Sequence, residues 1–127
     1  MKLLLDTHIF LWYISGDKKL AEGAKDTIRH PANEVYLSVV SLWEAIIKSR
    51  LGKLPLPLSP ESYLPEPRER HRITSMPLDE ASVRRLAQLP ALHRDPFDRM
   101  LICQAIEHNL TLVTVDPEIR SYSVTVL

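Results

Sequence analysis

The chain has 127 residues, of which 45% are hydrophobic and 25% charged, and this composition is typical of a globular domain with a single core. Sixteen Lys and Arg balance sixteen Asp and Glu, so the overall charge gives no sign of a nucleic-acid-binding protein. Cys103 is the only cysteine, which excludes an intramolecular disulfide framework and a cysteine-based zinc site. With no apolar stretch near the roughly 20 residues that span a bilayer, we expect one cytoplasmic domain over residues 1–127 with no membrane contact.

The first half of the chain alternates strand-like and helix-like segments. KLLL predicts a short buried strand, and the spacing of Leu20, Ala24 and Ile28 predicts a helix further on. Gly16 and Gly52 are expected to end helices, as glycine commonly does. In chain order, the predicted elements are a strand over 2–5, a helix over 7–15, a helix over 20–30, a strand over 34–38 and a helix over 41–51.

The second half begins with an irregular stretch. Five prolines between 55 and 67 argue against one long helix, although Ser59-Pro60-Glu61 predicts the start of a single short one. The later predicted elements are a strand over 73–76, a helix from its cap at Asp79 to 88, a helix over 96–108, a strand over 111–115, a helical turn over 116–118 and an edge strand over 123–127. Because strands alternate with helices, we predict an α/β fold with a mostly parallel sheet and helices on both faces.

Four acidic residues share a position relative to these elements. Asp6, Glu44, Asp98 and Asp116 each lie at or just beyond the carboxyl end of a predicted strand, or near the start of a helix. Ligands of open α/β sheets bind at that end of the sheet. Carboxylates gathered there would repel one another unless a hard cation such as Mg²⁺ or Mn²⁺ neutralised them. The pattern therefore predicts a metal-dependent phosphodiesterase.

Each acidic residue also has an ordinary structural explanation, because carboxylates stabilise the starts of helices. This explanation assigns caps to Asp6, to Asp116 before Pro117, to a capping box of Ser41 with Glu44, and to Asp95 before Pro96 with Asp98 in the first turn. Capping accounts for each carboxylate alone but not for the location that they share.

Four motifs together resemble the PIN-domain family, and most closely the VapC-like toxins of bacterial and archaeal toxin–antitoxin pairs. The motifs are LLLDTH, the SxxSLWEAxxK helix, HRDPFDRMLICQA and LVTVD, and the resemblance covers essentially the whole chain. It implies a three-layer α/β/α PIN-like domain and an endoribonuclease that uses one or two Mg²⁺ or Mn²⁺ ions to activate water. It also implies an RNA substrate, a cognate antitoxin protein and a homodimer.

The family's acidic positions fall on Asp6, Glu44, Asp98 and Asp116, as catalytic residues and metal ligands. Asp95 competes with Asp98 for the third position. The family pattern places the ligand three residues before an aliphatic residue and seven before an alanine, and Asp98 fits this spacing through Leu101 and Ala105. Asp95 then caps the helix or supports the site.

Several polar neighbours are candidates for a supporting role at the metal or for contact with RNA. They are Thr7, Ser41, Lys48, Asp95 and Thr114. The alternatives are local hydrogen bonds for the hydroxyl groups and, for Lys48, an ordinary helical ion pair with Glu44.

Other side chains near these motifs are assigned more ordinary roles. His8 and His93 lack zinc-ligand spacing, and metal-activated water leaves little need for either as a general base. Arg94 and Arg99, and a second cluster of Arg68, Arg70 and Arg72, are candidates for gripping an RNA backbone, with a solvated basic surface as the default. Trp43 and Phe97 are predicted to lie in the core or at a dimer surface, with base stacking as the second interpretation.

Two other functions remain open at this point. A receiver-like signalling domain would need paired acidic residues after the first strand and a lysine after the last central strand, whereas this chain has Asp6 alone and Asp116. A non-catalytic PIN scaffold that binds RNA or protein is the closer alternative. The intact acidic quartet argues against it.

Overall fold

The structure is a computed structural model, and it describes residues 1–93 and 95–127. A sheet of four strands lies at its centre. The strands are β1 (Lys2–Leu5), β2 (Glu34–Ser38), β3 (Thr74–Met76) and β4 (Thr111–Val113). Their order across the sheet is β3-β2-β1-β4, and every neighbouring pair is parallel, with Leu3 opposite Val35 on one side and Thr111 on the other.

The helices cover both faces of this sheet. They are α1 (Thr7–Ser15), α2 (Glu22–Arg29), α3 (Val39–Arg50), α4 (Pro60–Tyr63), α5 (Pro65–Arg70), α6 (Glu80–Arg85) and α7 (Pro96–Glu107), with 3-10 turns at Leu86–Gln88 and Ile119–Ser121. Among the described residues, none of these helices has the length and apolar character needed to cross a bilayer.

The alternation of side chains along β1 divides the core into two. Successive residues of a strand point to opposite faces. Leu3 and Leu5 pack with Phe10 of α1 in one fully buried cluster, and Leu4 packs with Leu101 of α7 in the other. The predicted α/β fold is confirmed, since a parallel sheet covered by helices on both faces is a three-layer α/β/α arrangement.

Most predicted boundaries differ from the observed ones by one or two residues, which is the usual uncertainty of a helix or strand end. The proline-rich stretch differs more, because it forms two short helices rather than one. Pro60 starts α4 and Pro65 starts α5, each within the first turn, where proline costs no hydrogen bond.

The predicted edge strand over 123–127 is wrong in extent. Only one parallel bridge forms, between Leu112 and Val126. The Leu112 N–H donates to Thr125 O at 2.9 Å, and the Leu127 N–H donates to Leu112 O at 3.0 Å. Since β4 itself has only three residues, there is little strand for this segment to pair with.

The order of the strands determines where a ligand site forms. From β1 the chain crosses to β2 on one side, while β4 pairs with β1 on the other. The carboxyl ends of β1 and β4 therefore flank the point where the strand order reverses, which is the usual binding crevice of an open α/β sheet. Asp6 follows β1 and Thr114 follows β4 at this edge.

Candidate metal centre

Asp6 is buried where β1 passes into α1. Its backbone N–H donates to Val113 O at 3.0 Å, and its Oδ2 accepts the Thr114 hydroxyl at 2.8 Å. It occupies the N-cap position of α1 but makes no side-chain capping hydrogen bond. Burial is the main reason that the pKa of Asp6 is raised, with a smaller contribution from the charge of Glu44. Capping therefore does not explain why a carboxylate is buried at this position.

Glu44 projects from α3 into the same edge and is only 2% exposed. Its Oε1 accepts the Thr7 hydroxyl at 2.6 Å, and Thr7 Oγ1 lies 2.8 Å from the Ser41 hydroxyl. The capping-box interpretation of Ser41 with Glu44 is wrong, because α3 begins earlier and Ser38 caps it by accepting the Val40 N–H. Glu44 is thus held by a hydroxyl from α1 and has no capping role.

Lys48 supplies a positive charge beside Glu44. Its ammonium donates to Glu44 Oε2 one helical turn away, and to Asp95 Oδ2 at 3.2 Å. Burial by itself would lower the pKa of Lys48, but the hydrogen bond and charge of Glu44, together with Asp95, raise it. The predicted ion pair is present and extends to a second carboxylate, so the ammonium is a cation shared by α3 and the loop before α7.

Asp95 and Asp98 divide the predicted roles between them. Asp95 Oδ1 accepts the N–H groups of Phe97 at 2.9 Å and Asp98 at 3.2 Å, which makes it the N-cap of α7. Burial would raise the pKa of Asp95, but the Asp98 N–H and Lys48 outweigh it and lower the pKa. Burial, and then the charges of Asp6, Asp95 and Glu44, raise the pKa of Asp98 to about 7.

Asp116 lies beyond β4, where His93 reaches it from the loop before α7. His93 Nε2 is 3.1 Å from Asp116 Oδ2 and 3.0 Å from Asp98 Oδ2. Asp116 also accepts the Glu118 N–H at 2.9 Å, so it does begin the turn that was predicted there. Its own N–H donates to Thr114 Oγ1 at 3.1 Å. Thr114 therefore connects Asp116 to Asp6 through one hydroxyl group.

The structure gathers these side chains into two donor groups. Within the described residues, potential ligand atoms of Glu44, Asp95 and Asp98 lie within 4.8 Å of one another, and so do those of His93, Asp98 and Asp116. Asp98 belongs to both groups. Asp6 belongs to neither, but the Thr114 hydroxyl donates to Asp6 and accepts the Asp116 N–H, so the two aspartates lie side by side. All four predicted acidic residues thus lie at one edge of the sheet.

The donor set fits a divalent cation. Carboxylate oxygens are the preferred ligands of Mg²⁺ and Mn²⁺. Burial raises the pKa values of Asp6 and Asp98, and repulsion from neighbouring carboxylates adds to this effect. A bound cation would relieve that repulsion. The two donor groups supply the potential ligand atoms, and Asp6 lies beside them.

Sequence reasoning gave His93 only a minor role and did not single out Glu118. His93 Nε2 contacts carboxylate oxygens of both Asp98 and Asp116, and its Nδ1 is 3.3 Å from Glu118 Oε2. Neither residue belongs to a helix face or a strand periodicity, so the spacing of the chain gave no signal. The only available clue was that His93 opens the motif that contains Asp95 and Asp98.

The predicted RNA-gripping arginines are mostly used within the protein. Arg99 donates to Leu89 O at 3.4 Å, and Arg68 donates to Ile73 O at 2.8 Å. Arg70 pairs with Glu66 on the exposed side of α5. Arg94 lies outside the described residues. These contacts favour structural roles for Arg68 and Arg99 over phosphate binding.

Comparison with protein families gives one family-model match that covers nearly the whole chain. The model is that of the PIN domain, and it matches residues 3–124. A curated relative, ribonuclease VapC22 of Mycobacterium tuberculosis, is 28% identical over 120 residues, which is 94% of this chain and 91% of the relative.

Solved structures with the same fold include toxin–antitoxin complexes. One is VapBC2 from Rickettsia felis bound to a DNA fragment from its promoter, with a TM-score of 0.76 and 18% identity, covering 100% of this chain and 98% of the other. Another is DNA-bound VapBC from Salmonella typhimurium, with a TM-score of 0.68 and 18% identity, covering 100% and 97%. At these identities the likeness establishes the fold.

Proposed function

This chain is a member of the PIN-domain family, and on that premise we propose that it is a metal-dependent endoribonuclease that acts as the toxin of a toxin–antitoxin pair. The family assignment removes the receiver-like alternative. The ribonuclease name of the VapC22 relative supports the activity, and the neighbouring toxin–antitoxin complexes support an antitoxin partner.

The observation that carries this proposal is the convergence of intact carboxylates on Asp98. Asp98 is shared by both donor groups. Burial, together with the charges of Asp6, Asp95 and Glu44, raises its pKa to about 7. A protein that only bound RNA would gain nothing from concentrating negative charge at its ligand edge, because RNA is itself an anion. The charge is useful if a cation mediates between the carboxylates and a phosphate.

A divalent ion bound here would orient and activate water and stabilise charge on the scissile phosphate. We assign Asp6, Glu44, Asp98 and Asp116 as the catalytic ligand set, with Mg²⁺ or Mn²⁺ as the ion. Lys48 already places a cation between Glu44 and Asp95, so the more open group around Asp98 and Asp116 is the first position to be filled. A second ion would compete with the Lys48 ammonium.

The surrounding polar residues hold these carboxylates in place. Thr7 and Ser41 form a buried hydroxyl pair against Glu44, and Thr114 donates to Asp6. Asp95 caps α7 and so orients the first turn, which carries Asp98. Locked side chains keep the ligand oxygens close to the geometry that an ion requires, so that little reorganisation is needed on binding.

An apolar stripe on α3 supports the proposed homodimer. Val39, Trp43, Ile47 and Leu51 follow one another at four-residue intervals, and Trp43 and Leu51 are 54% and 62% exposed. Residues four apart share one face of a helix. Trp43 also packs edge-on against Phe97, with ring centroids 4.9 Å apart, beside the metal centre. We propose that a second copy covers this stripe, and that Trp43→Ser with Ile47→Ser makes the antitoxin-free protein monomeric in analytical ultracentrifugation.

The activity is tested with antitoxin-free protein and a mixed pool of tRNA and rRNA. The reactions contain Mg²⁺ or Mn²⁺, or EDTA, and compare the wild type with Asp98→Asn. Asp26→Asn is the matched control, because Asp26 is an exposed carboxylate on α2 that pairs with Arg29 and has no other ion pair among the described residues. We expect discrete fragments from the wild type and Asp26→Asn with either metal, and none with EDTA or Asp98→Asn.

Two outcomes would count against this function. Fragments that persist in EDTA and in Asp98→Asn would point to a contaminating nuclease. A folded wild type that binds the RNA pool but cuts nothing with either metal would favour the non-catalytic PIN scaffold. A cytoplasmic location belongs to the same proposal, because the RNA substrate and the antitoxin would both be found there.

A further inference from the structure

His93 places a ring nitrogen among the proposed metal ligands. Its side chain is 10% exposed, and Nε2 is 3.0 Å from Asp98 Oδ2 and 3.1 Å from Asp116 Oδ2. These three atoms form one of the two donor groups at the edge of the sheet. No other histidine of the described residues joins such a group, so His93 is distinguished by its position rather than by its residue type.

The other ring nitrogen faces a carboxylate and a backbone N–H group. Nδ1 lies 3.3 Å from Glu118 Oε2 and accepts the Asp95 N–H at 3.2 Å. The two contacts require opposite states of Nδ1, since a protonated nitrogen donates to Glu118 and an unprotonated one accepts from Asp95. Both states are therefore provided with a partner.

We propose that His93 Nε2 is a ligand of the metal ion held by Asp98 and Asp116, that Glu118 orients the imidazole, and that the centre therefore prefers Mn²⁺ or Co²⁺ to Mg²⁺. This inference rests on the proposed function, because it concerns the same centre. It goes beyond the carboxylate quartet by adding a nitrogen donor and a residue that positions it.

The metal preference follows from the donor atoms. Mg²⁺ selects oxygen ligands and keeps much of its water, whereas imidazole nitrogen suits transition-metal ions, with affinity rising from Mn²⁺ to Co²⁺. Asp98 and Asp116 supply two oxygens without distinguishing among these ions. His93 is the one donor in its group that does.

The role of Glu118 follows from the protonation state of a ligated imidazole. When Nε2 binds a cation, the neutral ring carries its proton on Nδ1, where Glu118 Oε2 accepts it. A carboxylate in this position fixes the ring and strengthens the nitrogen as a donor. Asp95 keeps its side-chain hydrogen bonds to the start of α7, so it remains anchored when its own N–H is released.

The test is a titration of the metal-free protein with Mn²⁺ and with Mg²⁺, combined with pulsed EPR of the bound Mn²⁺. The variants are His93→Gln, Glu118→Gln and Asp98→Asn. His8→Gln is the matched control, because His8 is an exposed histidine close enough for its charge to lower the pKa of Asp6, yet it lies in neither donor group. Circular dichroism of each variant establishes that it is folded.

We expect nitrogen coupling to Mn²⁺ in the wild type and in His8→Gln, and its loss in His93→Gln. Outer-shell partners of metal-binding histidines contribute about 10- to 100-fold to affinity, so Glu118→Gln is expected to weaken Mn²⁺ binding by about tenfold. His93→Gln removes the proposed nitrogen ligand itself and should weaken Mn²⁺ binding by at least as much. Mg²⁺ affinity should change by less than about threefold in both, which is small beside those losses.

Each other result overturns the inference in a recognisable way. Tight Mn²⁺ binding without nitrogen coupling, lost in Asp98→Asn but unchanged in His93→Gln, would leave the carboxylate centre intact and make His93 a hydrogen-bond donor only. Equal losses of Mn²⁺ and Mg²⁺ in His93→Gln would remove the metal preference. A folded wild type that binds neither ion would overturn the proposed metal centre and this inference together.

Discussion

The two donor groups at the edge of the sheet share Asp98 but differ in how the protein supports them. Glu44 and Asp95 share the one positive charge of Lys48, and Thr7 holds Glu44 from the other side. His93 and Asp116 lie in loops, and Asp116 is 31% exposed. The first group resembles a structural ion-pair network, and the second is more accessible to a ligand. We call the group of Glu44, Asp95 and Asp98 the Lys48-paired group, and the group of His93, Asp98 and Asp116 the open group.

The largest expected effect comes from the residue that the two groups share. Asp98→Asn removes a proposed metal ligand from both groups with little change in side-chain shape, and metal ions contribute several kcal/mol to such reactions. We expect ribonuclease activity to fall by about 10³-fold. The measurement is initial cleavage rate with saturating Mn²⁺. If Asp116→Asn had no effect while Glu44→Gln abolished activity, the assignment of the open group as the first metal position would be wrong.

The pH dependence of stability tests the charges on Asp98 and His93. The pKa of Asp98 is about 7 in the folded protein, against an ordinary value of 3.8, so the folded state holds a proton that the unfolded chain has lost. The free energy of unfolding without metal should therefore fall as the pH rises from about 4 to about 7. Burial would lower the pKa of His93, but the hydrogen bond and charge of Asp116 and the charges of Asp98 and Glu118 raise it. The stability that protonated His93 contributes is therefore also lost as the pH rises, above the ordinary histidine value of 6.5.

We expect the metal-free wild type to lose about 1–3 kcal/mol between pH 5 and pH 8, and Asp98→Asn to lose less. Chemical denaturation in EDTA measures this difference. Saturating Mn²⁺ should remove most of the loss, because the ion replaces the proton on Asp98. A wild type as stable at pH 8 as at pH 5 would show that repulsion within the open group is already relieved without a cation.

Replacing Lys48 tests how much its ammonium stabilises the Lys48-paired group. Lys48→Met leaves Glu44 buried without its cation, and removing one partner of a buried pair is costly. Because Lys48 is partly exposed, we expect a loss of about 1–2 kcal/mol at pH 8, below the fully buried range. Arg29→Gln, which breaks an exposed pair with Asp26, should change stability far less, because solvent screens exposed ion pairs. Equal effects of the two variants would mean that Lys48 stabilises nothing beyond an ordinary surface pair.

The smallest expected effect is at the hydroxyl that joins the two strands. Thr114→Val removes the donor to Asp6 and the acceptor of the Asp116 N–H, at a cost of about 1 kcal/mol. Thr114→Ser keeps the hydroxyl and should recover most of that loss in thermal unfolding. Thr27→Val is the control, because it removes an exposed hydroxyl that donates to Gly23 O on its own helix. A serine variant as unstable as the valine variant would point to the Thr114 methyl group instead.

The secondary structure was largely predictable because it depends on local pattern. The apolar KLLL run, the Asp95-Pro96 helix start and the Gly16 stop each act within a few residues, and β1, α1 and α7 lie where they were expected. Where the prediction of a helix start failed, a residue nearby in the chain could also start a helix. Ser38 rather than Ser41 caps α3, and two proline starts rather than one shape the segment between α3 and β3.

The sequence by itself determined the alternation of strands and helices and the acidic residues to examine, since periodicity and helix-start chemistry are local properties. Their assignment as metal ligands stays a prediction until binding is measured. Only the tertiary structure decided which charges meet. Lys48 reaches Asp95 across 47 positions, and His93 reaches Asp116 across 23, through the crossing of parallel strands. Contacts between residues so far apart leave no periodic trace in the chain, so the fold had to be seen before His93 could be assigned.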